Sequence, residues 1–178
     1  QAGMRSGLRP RIHADELGTS GGARVAAEVG ARSAGHLVFV DEHDAERLAA
    51  AHVCAVLLPI TALSLRLGRY APARMLIDRG VAVALGTDLN PGGGMSPSMP
   101  FALSLACFAM GMTLEEALVG ATLNAAWSID RSDTVGSLEP GKLMDAVIVR
   151  GDPTNLVRVG APSIMTVIKR GKVIFRAQ

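Results

Sequence analysis

Val81-Ala82-Val83-Ala84-Leu85-Gly86-Thr87-Asp88-Leu89-Asn90-Pro91-Gly92-Gly93-Gly94 is the stretch that decides the fold. Val81–Leu85 is apolar at every position, so a strand there has no face for water. Such runs are typical of parallel strands covered by helices on both sides. The strand ends in a polar turn with a single carboxylate, Asp88, followed by three successive glycines. One step upstream, Val53–Leu58 (VCAVLL) is a second fully apolar run. Pro59–Gly68 between them reads as loop and Ala71–Arg79 as a helix, with Gly80 suited to its C-terminal cap. Further back, Asp41–His52 is a helix with acids in its first turn, where the helix dipole favours them. Gly35–Val40 (GHLVFV) reads as a strand, Gly22–Ala31 as a helix and Arg11–Ala14 as a short strand after Pro10.

Downstream, Met99–Met110 is a helix closed by Gly111. Thr113–Trp127 is another, opened by Thr113 with Glu116 three positions later, the signature of a capping box. Residues 10–127 therefore alternate strand and helix, which predicts parallel pairing and right-handed crossovers. From about residue 135 the pattern changes to short β-branched runs with glycine turns. The expected organisation is 1–134 as βα units and 135–178 as strands of a small β domain. The chain opens on Gln1-Ala2-Gly3 and runs soon into a strand, so it reads as the later part of a longer chain.

Four βα units suit either an open doubly wound sheet or half of a (β/α)8 barrel. The polar residues favour the barrel. His13-Ala14-Asp15-Glu16, Pro59-Ile60-Thr61 and Gly86-Thr87-Asp88 all follow the C-terminal ends of apolar strands, and barrel enzymes gather their sites from several such ends. His36 falls in the second strand, its end undecided.

Composition narrows the function. The net charge of +2 on 178 residues offers no electrostatic footprint for nucleic acid. Apolar runs such as Val53–Ile60 fall far short of the ~20 residues needed to span a membrane. Cys54 and Cys107 both lie in apolar segments and read as buried thiols of a reducing cytoplasm. There is no G-x-S-x-G elbow, and the glycine run has neither G-K-[ST] nor G-x-G-x-x-G, so a serine nucleophile and a phosphate cradle are both disfavoured. Hydrolytic metal chemistry is the class best served by His, Glu and Asp at strand ends. Each residue also has a plainer reading. His13-x-x-Glu16 could be a surface turn, His36 a satisfied core histidine, and Asp88 with Asn90 a loop cap. The glycine run is harder to explain as a simple turn, because it permits close approach of backbone to a ligand. His43 and His52 read as surface residues, and Met75, Met99 and Met110 as core packing.

Several segments together resemble the imidazolonepropionases, metal-dependent hydrolases of histidine breakdown in the amidohydrolase superfamily. They are Ile12-His13-Ala14-Asp15-Glu16, Ser33-Ala34-Gly35-His36-Leu37, Leu57-Leu58-Pro59 with Thr61, Tyr70-Ala71-Pro72-Ala73-Arg74, and Gly86-Thr87-Asp88 with Asn90-Pro91-Gly92. Met112-Thr113-Leu114-Glu115-Glu116-Ala117, Thr122-Leu123-Asn124-Ala125-Ala126 and Gly136-Ser137-Leu138-Glu139-Pro140-Gly141-Lys142 are similar to the superfamily more widely. The likeness covers residues 3 to about 150 and weakens beyond.

The resemblance implies an α/β fold in which this chain supplies the C-terminal half of a (β/α)8 TIM barrel and the C-terminal strands of the small β domain. It implies one divalent metal, zinc or iron, held by His13 and Asp88 and by two histidines of an H-x-H motif that this sequence lacks. It implies catalytic roles for Asp88, His36 and Glu16, with Glu16 holding the substrate ring or the attacking water and His36 assisting proton transfer. Asn90, Gly92 and Gly93 would hold the acyl chain. The expected partners are a small-molecule substrate and an N-terminal half of the barrel or a partner chain, with a homo-oligomer as a further option. A related deaminase or cyclic-amide hydrolase, or a non-catalytic fragment, is the alternative. Two positions depart from the family pattern. Gly35 stands where Asp usually precedes the second histidine, which predicts that no carboxylate orients His36. Gly93 stands where a hydroxyl side chain is common.

Overall fold

The computed structural model describes residues 2–158, 160 and 162–177, so Gln1 and three residues of the expected second unit, Val159, Ala161 and Gln178, lie outside the described residues. A short helix α1 (Ala2–Arg5) leads to β1 (Arg11–Ala14), α2 (Gly22–Glu28), β2 (Ser33–His36), α3 (Glu42–Ala50) and β3 (Cys54–Leu57). Then come α4 (Pro59–Ser64), α5 (Ala73–Asp78), β4 (Val83–Leu85), α6 (Met99–Met110), α7 (Leu114–Ala121) and α8 (Leu123–Ser128). The remainder holds β5 (Ala146–Val149), a 3-10 turn (Pro153–Val157), β6 (Ile164–Lys169) and β7 (Lys172–Arg176).

The first four strands form one parallel sheet in the order β1-β2-β3-β4. That sequential order separates the two architectures left open by the sequence. A doubly wound sheet reverses its strand order to place helices on both faces. With right-handed crossovers and no reversal, the crossover helices all fall on one face, as in a barrel wall. Here α2 packs on α3, α3 on α5 and α5 on α6, a single row. The core lies between that row and the sheet, where Ala14, Ala34, Ala55, Leu57, Val83 and Leu85 meet Ala23, Ala26, Leu48 and Leu76, all buried. Small alanines on the strands let the helices approach closely. At the far end of the sheet, α8 packs on β3 and β4, and Asn124 Nδ2 donates to Val83 O at 2.8 Å. The buried Arg32 guanidinium caps that end. It stacks 3.4 Å above the Trp127 ring and donates from Nε to Trp127 O at 2.6 Å.

β5, β6 and β7 form a separate antiparallel sheet. The expected division at 134 falls in the turn-rich segment before it. The 3-10 turn ties the two parts together: Leu156 is buried in the main core, and Ser104 Oγ lies 2.9 Å from both Val157 O and Pro100 O. No helix among the described residues is long and apolar enough to cross a membrane. Cys54 is buried, its thiol pushed up to about 12 chiefly by burial, while Cys107 is only half-buried.

Three local expectations need correction. Pro59–Gly68 is not simply loop, because Pro59 starts α4 at its first position, where the missing amide hydrogen costs nothing. Thr113–Trp127 is two helices. The capping box at Thr113 and Glu116 is present, but Thr122 leaves the helical region at φ −124° and ψ −86° and its hydroxyl bonds back to Leu118 O at 2.6 Å. The second strand starts earlier than Gly35 and stops at His36. His36 and Leu37 turn into the left-handed region at φ 72° and 54°, so Val38 and Val40 pack in a turn instead of extending the ladder.

Candidate active site

The parallel register puts the C-terminal ends of all four strands on one edge of the sheet. His13 pairs with Gly35, Ala14 with His36, Val56 with Ala84 and Leu57 with Leu85. Asp88 lies three residues past β4 and Thr61 four past β3, in the first turn of α4, so the polar residues collect along that edge.

His13 and Gly35 face the same way, so regular alternation would turn His36 to the opposite face of the sheet. The positive φ at His36 breaks that alternation and brings its ring alongside His13. Their centroids are 5.0 Å apart, and His13 Nδ1 lies 2.9 Å from His36 Nε2. Glu16 Oε2 lies 3.6 Å from the same His36 nitrogen. Ligand atoms of His13, Glu16 and His36 all fall within 4.8 Å of one another. The expectation that no carboxylate faces His36 is thus corrected: Glu16 does so from the end of β1, although residue 35 is glycine. Burial of His36 pushes its pKa below the ordinary histidine value. The charges of Glu16 and Asp88 oppose this, and His13 adds to it.

Asp15 proves to be structural. Its backbone turns at φ 47°, and its buried carboxylate accepts from Ser20 N at 2.7 Å, Ser20 Oγ at 3.0 Å, Gly22 N at 3.3 Å and Ala23 N at 2.9 Å. Burial pushes its pKa up, but the hydrogen bonds outweigh it and hold the carboxyl below the usual range. It fastens the start of α2 to the end of β1. Asp15→Ala should leave buried amides of the first turn of α2 without an acceptor and destabilise the fold by about 2 kcal/mol. Thermal unfolding should then show a drop of roughly 4–8 °C for a chain of this size. An unchanged melting temperature would refute this role.

At β4 the half-buried Asp88 stands at φ 52°. Its Oδ2 accepts from Thr61 Oγ1 at 2.7 Å and its Oδ1 from Asn90 Nδ2 at 3.0 Å. The Asn90 amide nitrogen also reaches Asp88 O at 2.8 Å, and Asn90 Oδ1 accepts from Gly92 N at 2.8 Å. Gly93 N lies 3.2 Å from Asn90 O. The structure therefore brings Asn90, Gly92 and Gly93 to Asp88, with their polar groups engaged inside the loop. The glycines have a packing reason. A Cβ at Gly93 would come within 2.7 Å of Asp88 Oδ2 and 2.8 Å of Asn90 Nδ2, and one at Gly94 within 2.2 Å of Thr87 O. Thr61 stands in the sequence as part of a polar segment at a strand end, and nothing local to it announces the contact with Asp88.

The donor set suits a divalent cation. His13 Nε2 has no hydrogen-bond partner among the described residues, and neither Glu16 nor Asp88 pairs with a lysine or arginine among them. Imidazole nitrogen and carboxylate oxygen are ligands for zinc and iron alike.

Comparison with known proteins bears on the family and the fold. The model of the Amidohydrolase family matches residues 13–174. Imidazolonepropionase of Geobacillus kaustophilus (strain HTA426) is 50% identical over 98% of this chain and 41% of its own length. The imidazolonepropionase of Porphyromonas gingivalis (strain ATCC 33277) is 44% identical over 98% of this chain and 41% of its own length. The chain thus spans about two fifths of the curated relatives it matches. Among solved structures, a triazine hydrolase variant superposes with a TM-score of 0.83 at 22% identity, over 99% of this chain and 45% of that one. An adenosine deaminase from Xanthomonas campestris with bound zinc gives 0.80 at 20% identity, over 97% and 46%. At that identity the two structures bear on the fold alone.

Proposed function

Because the chain belongs to the amidohydrolase family, we propose that it carries the C-terminal part of the active site of an imidazolonepropionase, a hydrolase that opens the ring of 4-imidazolone-5-propanoate to N-formimidoyl-glutamate. The observation that carries this reading is the cluster of His13, Glu16 and His36, whose ligand atoms lie within 4.8 Å of one another, with Asp88 just past the C-terminal end of β4 in the same parallel sheet and no lysine or arginine pairing with Glu16 or Asp88 among the described residues. Relatives of that activity, 42–50% identical over 98% of the chain, support the choice of substrate.

His13 and Asp88 are the residues that would hold a divalent metal, zinc or iron. When bound, such an ion supplies Lewis acidity, polarising a carbonyl and making water a nucleophile near neutral pH. The chain's own residues then handle the protons. Asp88 accepts a proton from the attacking water and returns it to the leaving ring nitrogen. A C–O bond forms at the ring carbonyl carbon and the C–N bond to that nitrogen breaks. Glu16 holds the ring or the water against the His13 side of the site, and His36, buried beside both, assists the proton transfer. The loop at Asn90, Gly92 and Gly93 forms the wall for the acyl chain.

Among the described residues, β1 and β4 each have one unpaired edge in the four-stranded sheet. Strands from the N-terminal part of the barrel, or from a partner chain, would cover those edges and complete the site. Free Cys54 and Cys107 suit a reducing compartment such as the cytoplasm.

The test is turnover by the full-length protein on imidazolone propionate against purine and pyrimidine rings, before and after metal removal by a chelator. Ring opening of the first substrate alone, lost on chelation and restored by zinc or iron, is expected. Conversion of only the other rings would assign the site to a deaminase or cyclic-amide hydrolase. Turnover undiminished by chelation would overturn the metal-dependent reading.

A further inference from the structure

We propose that Thr61 is a positioning residue for Asp88, its hydroxyl holding the carboxylate in the orientation that metal binding requires. The proposal rests on the reading of Asp88 as a metal ligand. Thr61 is 1% exposed and occupies the third position of α4, 27 residues from Asp88 in sequence.

A hydroxyl has one proton to donate. Elsewhere in this chain, hydroxyls in helices or at their C-terminal caps commonly give it to the carbonyl four residues back. Ser64 Oγ lies 2.8 Å from Ile60 O, Ser104 Oγ 2.9 Å from Pro100 O and Thr122 Oγ1 2.6 Å from Leu118 O. Thr61 does otherwise. The carbonyl four residues before it, Leu57 O, accepts from Gly86 N at 3.1 Å, and Thr61 Oγ1 donates to Asp88 Oδ2 at 2.7 Å.

The geometry of α4 makes this contact rigid. A threonine in a helix divides mainly between two χ1 rotamers, and here Leu57 O already accepts from Gly86 N while the buried Thr61 hydroxyl has Asp88 as its acceptor. Asn90 Nδ2 fixes the other oxygen at 3.0 Å, and the missing Cβ at Gly93 leaves room for both contacts, since a Cβ there would lie 3.2 Å from Thr61 Oγ1. The carboxylate is therefore held by one hydrogen bond on each oxygen, from two different elements. Hydrogen-bonding partners of metal ligands orient them, and their removal typically costs 10–100-fold in metal affinity or activity.

The experiment measures zinc affinity by titration of metal-stripped full-length protein, together with kcat and KM after reloading. Thr61→Val keeps the shape and removes the donor, Thr61→Ala removes the donor differently, and Thr61→Ser keeps it. Zinc affinity should fall about 10–100-fold in both donor-free variants, with kcat falling and KM little changed, while Thr61→Ser stays within about threefold of the parent. Circular dichroism of all three variants should remain that of the parent. Unchanged affinity in Thr61→Val and Thr61→Ala overturns the proposal. Equal losses in Thr61→Ser and Thr61→Val also overturn it, because the residue would then matter for packing alone. Asp88→Asn serves as the control. If it keeps its metal, the reading of Asp88 as a ligand fails and this proposal with it. If it loses metal while Thr61→Val does not, only this proposal fails.

Discussion

Replacing Asp88 with alanine in the full-length protein is expected to abolish turnover and remove most of the bound metal, while Asp78→Ala changes neither. Asp88 follows a strand whose residues Val83, Ala84 and Leu85 are all buried, so its backbone has little freedom to relocate the carboxylate. Both of its oxygens accept hydrogen bonds, yet no lysine or arginine among the described residues balances its charge. On the proposed reading, its removal deletes a metal ligand and the group that moves the proton. Proton transfer alone contributes about 10²–10⁴-fold, so kcat should fall by at least that factor. Asp78 is the matched control. It sits at the end of α5, exposed, and pairs with Arg74 at 2.9 Å, a surface ion pair that solvent screens and that contributes little to stability. Steady-state kinetics with metal analysis of both variants checks the prediction. Full metal content and activity in Asp88→Ala would remove Asp88 from the site.

Glu16→Gln is expected to keep the metal and lose turnover by about 10²–10⁴-fold. Glutamine has nearly the same size, so the change removes charge and proton affinity and little else. Glu16 is half-buried and faces His36 Nε2 at 3.6 Å, where it can hold a ring nitrogen or a water. The same geometry places its carboxylate within 4.8 Å of nitrogen atoms of both His13 and His36. Metal analysis therefore decides between two roles. Unchanged metal with a collapsed kcat identifies a group that handles substrate or water. Loss of metal along with activity would make Glu16 a ligand and refute the role assigned here.

Much of the fold was legible because it depends on local pattern. Val53–Leu58 and Val81–Leu85 are apolar on both faces, and that alone marks covered parallel strands. The acids of Asp41–Asp44, the Thr113–Glu116 capping box and the left-handed Gly80 and Gly111 mark helix ends by rules that span a few residues. His13 could be singled out because it lies near the end of a short strand, and Asp88 because it follows a doubly apolar strand within three residues, where side chains emerge at the C-terminal end of the sheet. The strand order, which separates a barrel wall from a doubly wound sheet, required the pairing itself.

The rest of the site lies beyond local pattern. The sequence marked His36 but not where it points. That depends on a positive φ at a non-glycine residue, a conformation disfavoured by local sterics and held here by buried Leu37, whose amide donates to Ala14 O at 2.9 Å. Asp15 and Glu16 are adjacent and chemically alike. Only the packing of α2 against β1 turns one into a helix anchor and leaves the other free to face His36. Thr61 meets Asp88 across 27 residues, and His13 meets His36 across 23. Local sequence determined which segments are strands and helices and which residues sit at their ends. The tertiary structure alone decided which of those end residues meet, because the sign of φ at each strand end and contacts between distant elements are set by packing against the rest of the chain.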